Sequence, residues 1–145
     1  MRASPVDKTL TMTNNTQKSP HWCETGIFMR MCEDEIYKAM RFGVPFSVVT
    51  AKVTLLNAAT DAAIQQFVKT GLRQIDFAGM VSQDRVALGL PFTDDRGGEV
   101  VAERLRRALI DFRPVVGSAT APNMGTTASA LLLQSDKSAH DKLAA

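Results

Sequence analysis

The sequence predicts an α+β fold, a ferredoxin-like arrangement in which helices cover one face of an antiparallel sheet. Its 145 residues suit a single domain, and 45% hydrophobic with 22% charged residues is ordinary for a globular chain. Segments with helical and strand periodicity follow a first helix in the order β-α-β-β-α-β, then a last helix. No run approaches the about 18 consecutive apolar residues of a spanning helix, so no membrane insertion is expected.

The two ends of the chain are set apart from this domain. Residues 1–20 are rich in Thr, Ser, Asn and Lys without apolar periodicity, which predicts a disordered leader. Residues 142–145, Lys-Leu-Ala-Ala, resemble the start of a cloning-vector tag and are interpreted as its remnant. The folded domain is therefore expected over residues 21–141.

Charge and cysteine usage restrict the class of protein further. The net charge of +2 lacks the strong basic excess of a dedicated nucleic-acid binder, so no nucleic-acid partner is expected. No apolar signal segment follows Met1, and the expected location is the cytoplasm. Cys23 and Cys32 are accordingly expected to be free thiols.

The first half of the domain shows two helices around one strand. The first helix, over about residues 26–42, ends at Gly43 and Pro45. The β-branched run 46–53 predicts a strand, and Asp61 is expected to cap the second helix. The expected inward residues of the two helices are Phe28, Met31, Cys32, Ile36, Ala39, Met40, Ile64, Phe67, Val68 and Leu72.

The second half begins with two short apolar runs, residues 77–81 and 86–90, around a predicted hairpin turn. Asp94-Asp95 is interpreted as a turn and the start of the third helix, rather than as a catalytic carboxylate pair. A strand over 114–119 follows, and Thr126 or Thr127 is expected to cap the last helix. The third helix is expected to bury Val101, Leu105, Ala108 and Leu109.

Four segments, in order and spacing, carry a resemblance to a known family. They are residues 35–47, residues 73–76 ahead of the hairpin turn, Leu90-Pro91 with residues 102–106, and residues 117–122 with residues 135–139. Residues 26–141 thus resemble a GGDEF domain, the diguanylate cyclase domain that joins two GTP molecules into cyclic di-GMP. The resemblance implies the nucleotidyl-cyclase palm form of the predicted fold.

The catalytic positions depart from this family. The Gly-Gly-Asp/Glu-Glu-Phe turn corresponds to Ser82-Gln83-Asp84-Arg85-Val86, where two side chains would crowd the nucleotide. The metal-binding aspartate of the first strand corresponds to Ala51, which has no oxygen ligand. Asp84 beside Arg85 is a poor Mg²⁺ site by itself. The resemblance therefore implies a degenerate domain that is not an enzyme, with no catalytic residue, metal or cofactor.

The product-inhibition site of the family is retained. Arg73-x-x-Asp76 lies five residues before the turn, and Arg104 matches the third residue of that site. The resemblance implies that these residues bind cyclic di-GMP. An arginine can bind the O6 and N7 edge of guanine or a phosphate, and a carboxylate can accept from guanine N1–H and N2–H₂. The alternative interpretation of Arg73 and Asp76 is a solvated ion pair.

Two functions remain open at this point. In the first, the domain is a cyclic di-GMP receptor or adaptor that signals through an unidentified protein partner. Because the family site can hold a ligand dimer that crosslinks two domains, a ligand-linked homodimer is one expected form. In the second, the domain is a ligand-independent scaffold, a pseudo-enzyme whose degenerate face holds a partner protein.

Overall fold

The structure is a computed structural model that describes residues 18–54 and 57–144. The helices of this part are α1 (Thr25–Phe42), α2 (Ala58–Gly71), α3 (Asp95–Ala108) and α4 (Ala128–Ala144), with a 3₁₀ turn at Ile110–Phe112. The strands are β1 (Phe46–Lys52), β2 (Phe77–Ser82), β3 (Arg85–Pro91) and β4 (Val115–Ala121). This order confirms the predicted α+β fold and its β-α-β-β-α-β core.

The four strands form one antiparallel sheet in the order β2-β3-β1-β4. β1 lies between β3 and β4, and at its first residue Phe46 faces Pro91 and Ala121. β2 and β3 are joined by the two residues Gln83 and Asp84, as the predicted hairpin requires. Pro91 and the start of β2 therefore lie at one edge of the sheet, and the hairpin turn lies at the other.

Helices cover both faces of this sheet, and the expectation that they cover only one face is wrong. α2 and α3 pack with alternate β1 residues such as Val49 and Ala51, whereas α1 and α4 pack with Phe46 and Val48. The physical reason is that α1 and α4 have their own apolar stripes, exemplified by Phe28, which only the second sheet face can bury. The sheet is thus the middle layer of three, and β1 is buried on both sides.

Local capping follows the sequence in part. The Asn57 side chain, and not Asp61, caps α2 by accepting from the Thr60 N–H at 3.0 Å, so the helix begins earlier than predicted. Asp94 caps α3 by accepting from the Gly97 N–H at 2.8 Å, which confirms its interpretation as a helix start. The Thr127 hydroxyl accepts from the Ala130 N–H at 3.1 Å, as predicted for one of the two candidate threonines.

Two residues expected in the core lie on the surface instead. Met40 is 56% exposed, and Ala108 is exposed at the end of α3. Each lies at the edge of its helical stripe, where the width of the neighbouring element decides whether the side chain is covered. The periodicity that predicted them gives the centre of the stripe more reliably than its margins.

The segment before α1 packs along the outer strand β2. The Cys23 N–H donates to the Ala78 carbonyl at 2.7 Å, and the Ala78 N–H donates to the His21 carbonyl at 3.0 Å. Ser19 is buried, and its N–H donates to the Gln65 side chain at 3.3 Å. Packed structure is therefore present from Ser19, within the stretch assigned to the leader, whereas residues 1–17 lie outside the described part.

The carboxyl end of the described chain continues α4. Residues 142–144 belong to the helix, and the Lys142 ammonium pairs with Glu99 of α3. Their interpretation as a tag remnant stays a prediction. In the described residues, no helix is both long and apolar enough to cross a membrane.

The two cysteines are free thiols, as predicted. Cys32 is buried inside α1, and burial raises the pKa of its thiol. Burial also raises the pKa of Cys23, which is partly exposed. Both thiols are therefore protonated near neutral pH, and Cys32 acts as a small apolar residue of the core.

Candidate functional site

The two candidate sites lie at opposite ends of the β2–β3 hairpin. Asp76 immediately precedes β2, and β3 ends at Pro91, so both belong to one edge of the sheet. The hairpin turn at Gln83-Asp84 belongs to the other edge. With a rise of about 3.3 Å per residue, a hairpin of this length separates the two ends by roughly 20 Å. A ligand at one end would not touch the other.

Arg73 and Asp76 form a dense set of hydrogen bonds. The Arg73 backbone N–H donates to Asp76 Oδ2 at 2.8 Å, Nε donates to the same oxygen at 3.2 Å, and Nη2 donates to Oδ1 at 2.8 Å. The Asp76 N–H donates back to the Arg73 carbonyl at 3.0 Å. The two residues therefore close a short loop on itself, directly before β2 begins.

The two side chains of this pair differ in their exposure to solvent. The Asp76 side chain is 4% exposed, whereas the Arg73 side chain is 51% exposed. The alternative interpretation as a solvated ion pair is therefore wrong for the acidic half. Since three donors from Arg73 surround the buried carboxylate, a ligand can contact it only after the guanidinium moves.

The Arg73 guanidinium also fixes the chain beyond β3. Its Nη2 donates to the Pro91 carbonyl at 2.7 Å and to the Thr93 hydroxyl at 2.8 Å. Among the described residues, none makes a hydrogen bond with Arg73 Nη1, and the side chain as a whole is half exposed. One nitrogen thus remains for a ligand, while the others hold the protein together.

A groove of about 360 Å³ opens beside this guanidinium. Its lining residues are Pro45, Arg73, Phe92, Thr93, Asp94, Gly97 and Val101. Gly97, Val101 and Arg104 recur at four- and three-residue spacing, which places them on one side of α3. Arg104 is exposed, and its Nη2 donates weakly to the Gly71 carbonyl at 3.4 Å. The structure thus places Arg104 beside the segment that leads into Arg73.

Phe92 is the residue of this groove that the sequence analysis missed. Its side chain is 64% exposed, and its backbone is left-handed with φ 55°. A large aromatic residue between a strand-ending proline and a helix cap is the signal that could have drawn attention to it. Apolar periodicity ignores such a residue, because it lies outside every regular element.

At the opposite end of the hairpin, Asp84 is the carboxylate that the resemblance leaves at the metal position of the turn. Ala51 is fully buried opposite Val86, and it has no oxygen to coordinate a cation. Asp84 accepts from the Ser82 hydroxyl at 3.1 Å and lies 3.8 Å from the Lys52 ammonium. A cation already occupies the neighbourhood of this single carboxylate, so these residues do not fit a pair of Mg²⁺ ions.

Arg85 makes the turn still less suitable for a metal. Its guanidinium pairs with the Asp136 carboxylate of α4 at 3.3 Å. Among the described residues, there is no group of three or more His, Cys, Asp or Glu side chains that could hold a metal ion. Two-metal phosphoryl transfer needs such a group of hard oxygen ligands.

No family model matches the sequence, and no curated protein matches it significantly. Solved structures do match. The GGDEF domain of YfiN (TpbB) from Pseudomonas aeruginosa superposes with a TM-score of 0.68 at 17% identity, over 85% of this chain and 91% of that one.

Two further matches are structures that were solved with a bound protein or a bound ligand. The diguanylate cyclase SiaD from Pseudomonas aeruginosa, solved with its activator SiaC, gives a TM-score of 0.71 at 18% identity over 97% of this chain. This chain spans 63% of the SiaD chain. The GGDEF domain of DgcB from Caulobacter crescentus, solved with cyclic di-GMP, gives 0.66 at 10% identity, over 85% of this chain and 84% of that one. The chain therefore has the fold of GGDEF domains, as the resemblance implied.

Proposed function

We propose that this chain is a catalytically inactive GGDEF-like domain that binds cyclic di-GMP and acts in the cytoplasm as a receptor or adaptor for a protein partner. The observation that carries the proposal is the proximity of two exposed arginines: Arg73 lines the groove, and Arg104 donates to the Gly71 carbonyl, two residues before Arg73. This groove lies at the far end of the hairpin from the degenerate turn. A GGDEF domain of the same fold, that of DgcB, binds cyclic di-GMP.

The chemistry of the groove suits a dianionic guanine dinucleotide. Arg73 Nη1 and the Arg104 guanidinium supply charged donors for a phosphate or for the O6 and N7 edge of guanine. Asp76 has a different role in this proposal from the one that the sequence suggested. Because its carboxylate is buried and bonded by Arg73, it positions the guanidinium rather than contacting the ligand.

Calorimetry with cyclic di-GMP tests the binding site. Wild type is expected to bind at micromolar concentration or tighter. Arg104→Ala should weaken binding about 10- to 150-fold, as expected for losing a hydrogen bond to a charged group. Arg107→Ala is the matched control, because Arg107 lies on the same helix but pairs with Glu103.

Arg73 requires a more conservative variant than alanine. Arg73→Lys keeps the positive charge but cannot reproduce the forked contacts with Asp76, so it should lose affinity while remaining folded. Absence of micromolar or tighter binding by wild type would contradict the proposed receptor function. Equal binding by wild type and Arg104→Ala would place the ligand elsewhere.

Catalytic inactivity is tested separately. Incubation of the protein with GTP and Mg²⁺ or Mn²⁺ is expected to give no cyclic di-GMP, because Ala51 offers no ligand and Lys52 neutralises Asp84. Chromatography of the nucleotide products measures this at high protein concentration. Accumulation of cyclic di-GMP would overturn this part of the proposal.

The output through a protein distinguishes the receptor from the scaffold. In the receptor proposal, added cyclic di-GMP changes either the mass of the protein in solution, by linking two copies, or its affinity for a co-purifying partner. Sedimentation with and without ligand measures the first change. A partner whose binding ignores cyclic di-GMP favours the ligand-independent scaffold.

A further inference from the structure

Folding alone does not account for the phenylalanine at position 92. A bulky residue at positive φ is uncommon, because its Cβ approaches the backbone, whereas glycine adopts this conformation freely. The ring is 64% exposed, so it contributes little apolar burial in return. A glycine at this position would fold at lower cost. The aromatic ring therefore points to a role in which it touches something outside the chain.

The backbone on both sides of Phe92 is firmly held. The Ser47 hydroxyl donates to the Thr93 carbonyl at 2.8 Å, and Thr93 Oγ1 donates to the Pro91 carbonyl at 3.0 Å. Arg73 Nη2 reaches the acceptors of both neighbours, Pro91 and Thr93. Backbone strain persists where the surroundings over-determine the conformation, and such places cluster at ligand clamps. The ring is thus presented from a fixed position.

Phe92 and Arg73 line the same groove. An exposed ring supplies a flat apolar face, and an adjacent guanidinium supplies donors at its edge. A planar heterocycle with acceptors on its rim, such as guanine, satisfies both groups at once. A phosphate would use the arginine but leave the ring unused, and an aliphatic ligand would use the ring but leave the arginine unused.

We propose that Phe92 is a stacking residue of the site, on which one guanine base of the ligand lies with its acceptor edge toward Arg73. This inference rests on the proposed function and extends it to a residue outside the Arg73, Asp76 and Arg104 set. It makes the ring a determinant of specificity for purine ligands. It also assigns the strained backbone to ligand binding rather than to folding.

A trade-off between stability and affinity follows from this assignment. Phe92→Gly removes the steric cost of positive φ, so its midpoint of thermal unfolding should be equal to or above that of wild type. The same change removes the stacking face, so its affinity for cyclic di-GMP should fall about 5- to 150-fold. A merely structural role for Phe92 predicts that stability falls together with affinity.

Two further variants separate stacking from bulk. Phe92→Trp keeps an aromatic face and should retain the affinity of wild type. Phe92→Leu keeps an apolar side chain without an aromatic face and should lose affinity nearly as far as Phe92→Gly. Phe42→Ala is the control, because Phe42 is equally exposed, at 64%, but lies at the end of α1 away from the groove lining.

Calorimetry with cyclic di-GMP, with thermal unfolding of each variant measured in parallel, decides between the outcomes. Loss of affinity in Phe92→Gly and Phe92→Leu, with retention in Phe92→Trp and Phe42→Ala, supports the inference. If wild type binds and Phe92→Leu binds equally well, the stacking role is overturned and the receptor function stands. If wild type binds no cyclic di-GMP, both are overturned.

Discussion

Gly117→Ala is expected to destabilise the protein by about 3 kcal/mol, the upper end of the cost of overpacking a core. Gly117 lies in β4 under α4, and a Cβ built there would overlap the Ser135 carbonyl oxygen and lie 2.5 Å from the Ala139 backbone nitrogen. These are backbone atoms of a helix, which cannot rotate away as a side chain can. The helix would have to shift as a unit from the sheet.

Such a shift would also disturb buried contacts around the glycine. The Thr50 and Ser135 hydroxyls are hydrogen-bonded at 2.9 Å between β1 and α4, and Ser135 is fully buried. Lengthening this bond would leave two buried hydroxyls poorly paired, which adds to the cost of the steric overlap.

Urea denaturation of wild type and Gly117→Ala, fitted with a common slope, measures the effect. Gly26→Ala is the matched control, because Gly26 lies in α1 and a Cβ there meets no atom within 4 Å. It should be neutral or stabilising by up to about 1 kcal/mol, from the better helix propensity of alanine. A Gly117→Ala midpoint equal to that of wild type would contradict the close packing of α4 on β4.

Asp76→Asn is expected to lower the free energy of unfolding by about 2–3 kcal/mol. This is the scale expected when a buried, hydrogen-bonded carboxylate is made neutral. The variant conserves shape, so the loss reflects charge and hydrogen bonding rather than a cavity. Three N–H groups of Arg73 now donate to the carboxylate. An amide group would face them with its own N–H donors or with a neutral oxygen. Because the Arg73 head is half exposed, water limits the cost.

Glu103→Gln provides the comparison for this prediction. Glu103 and Arg106 are also a carboxylate–arginine pair three residues apart, but both side chains are more than two-fifths exposed. Chemical denaturation should therefore give a much smaller shift for Glu103→Gln than for Asp76→Asn. Equal shifts would mean that burial of Asp76 contributes nothing.

Cyclic di-GMP affinity should also fall in Asp76→Asn, since the guanidinium loses the group that orients it.

Much of the fold could be predicted from local pattern. The period of apolar residues predicted the four α-helices and four strands in their order, because each element must bury one stripe or face. It did not predict the 3₁₀ turn at Ile110–Phe112. The cap of α2 was predicted at Asp61, whereas Asn57 makes it, because either residue type can accept from a helix N-terminus. Local pattern also failed to predict that Met40 and Ala108, at the margins of their apolar stripes, are exposed.

The candidate site was predictable only as a set of residues. The spacing of Arg73 and Asp76 and the position of Arg104 could be predicted, but their chemical roles could not. The structure shows that the Asp76 carboxylate is buried and hydrogen-bonded by Arg73, whereas the Arg73 side chain is half exposed. Burial and partner choice depend on what the rest of the chain places around a residue.

The sequence by itself determined the order of elements, the α+β class and the absence of an oxygen ligand at Ala51, because these depend on residue type and local periodicity. Only the tertiary structure decided that helices cover both faces of the sheet. It also decided that Arg73 bonds both Asp76 and the end of β3. Phe92, at positive φ, lines the same groove as Arg73. Those features arise where segments distant in sequence meet, and local pattern carries no information about such meetings.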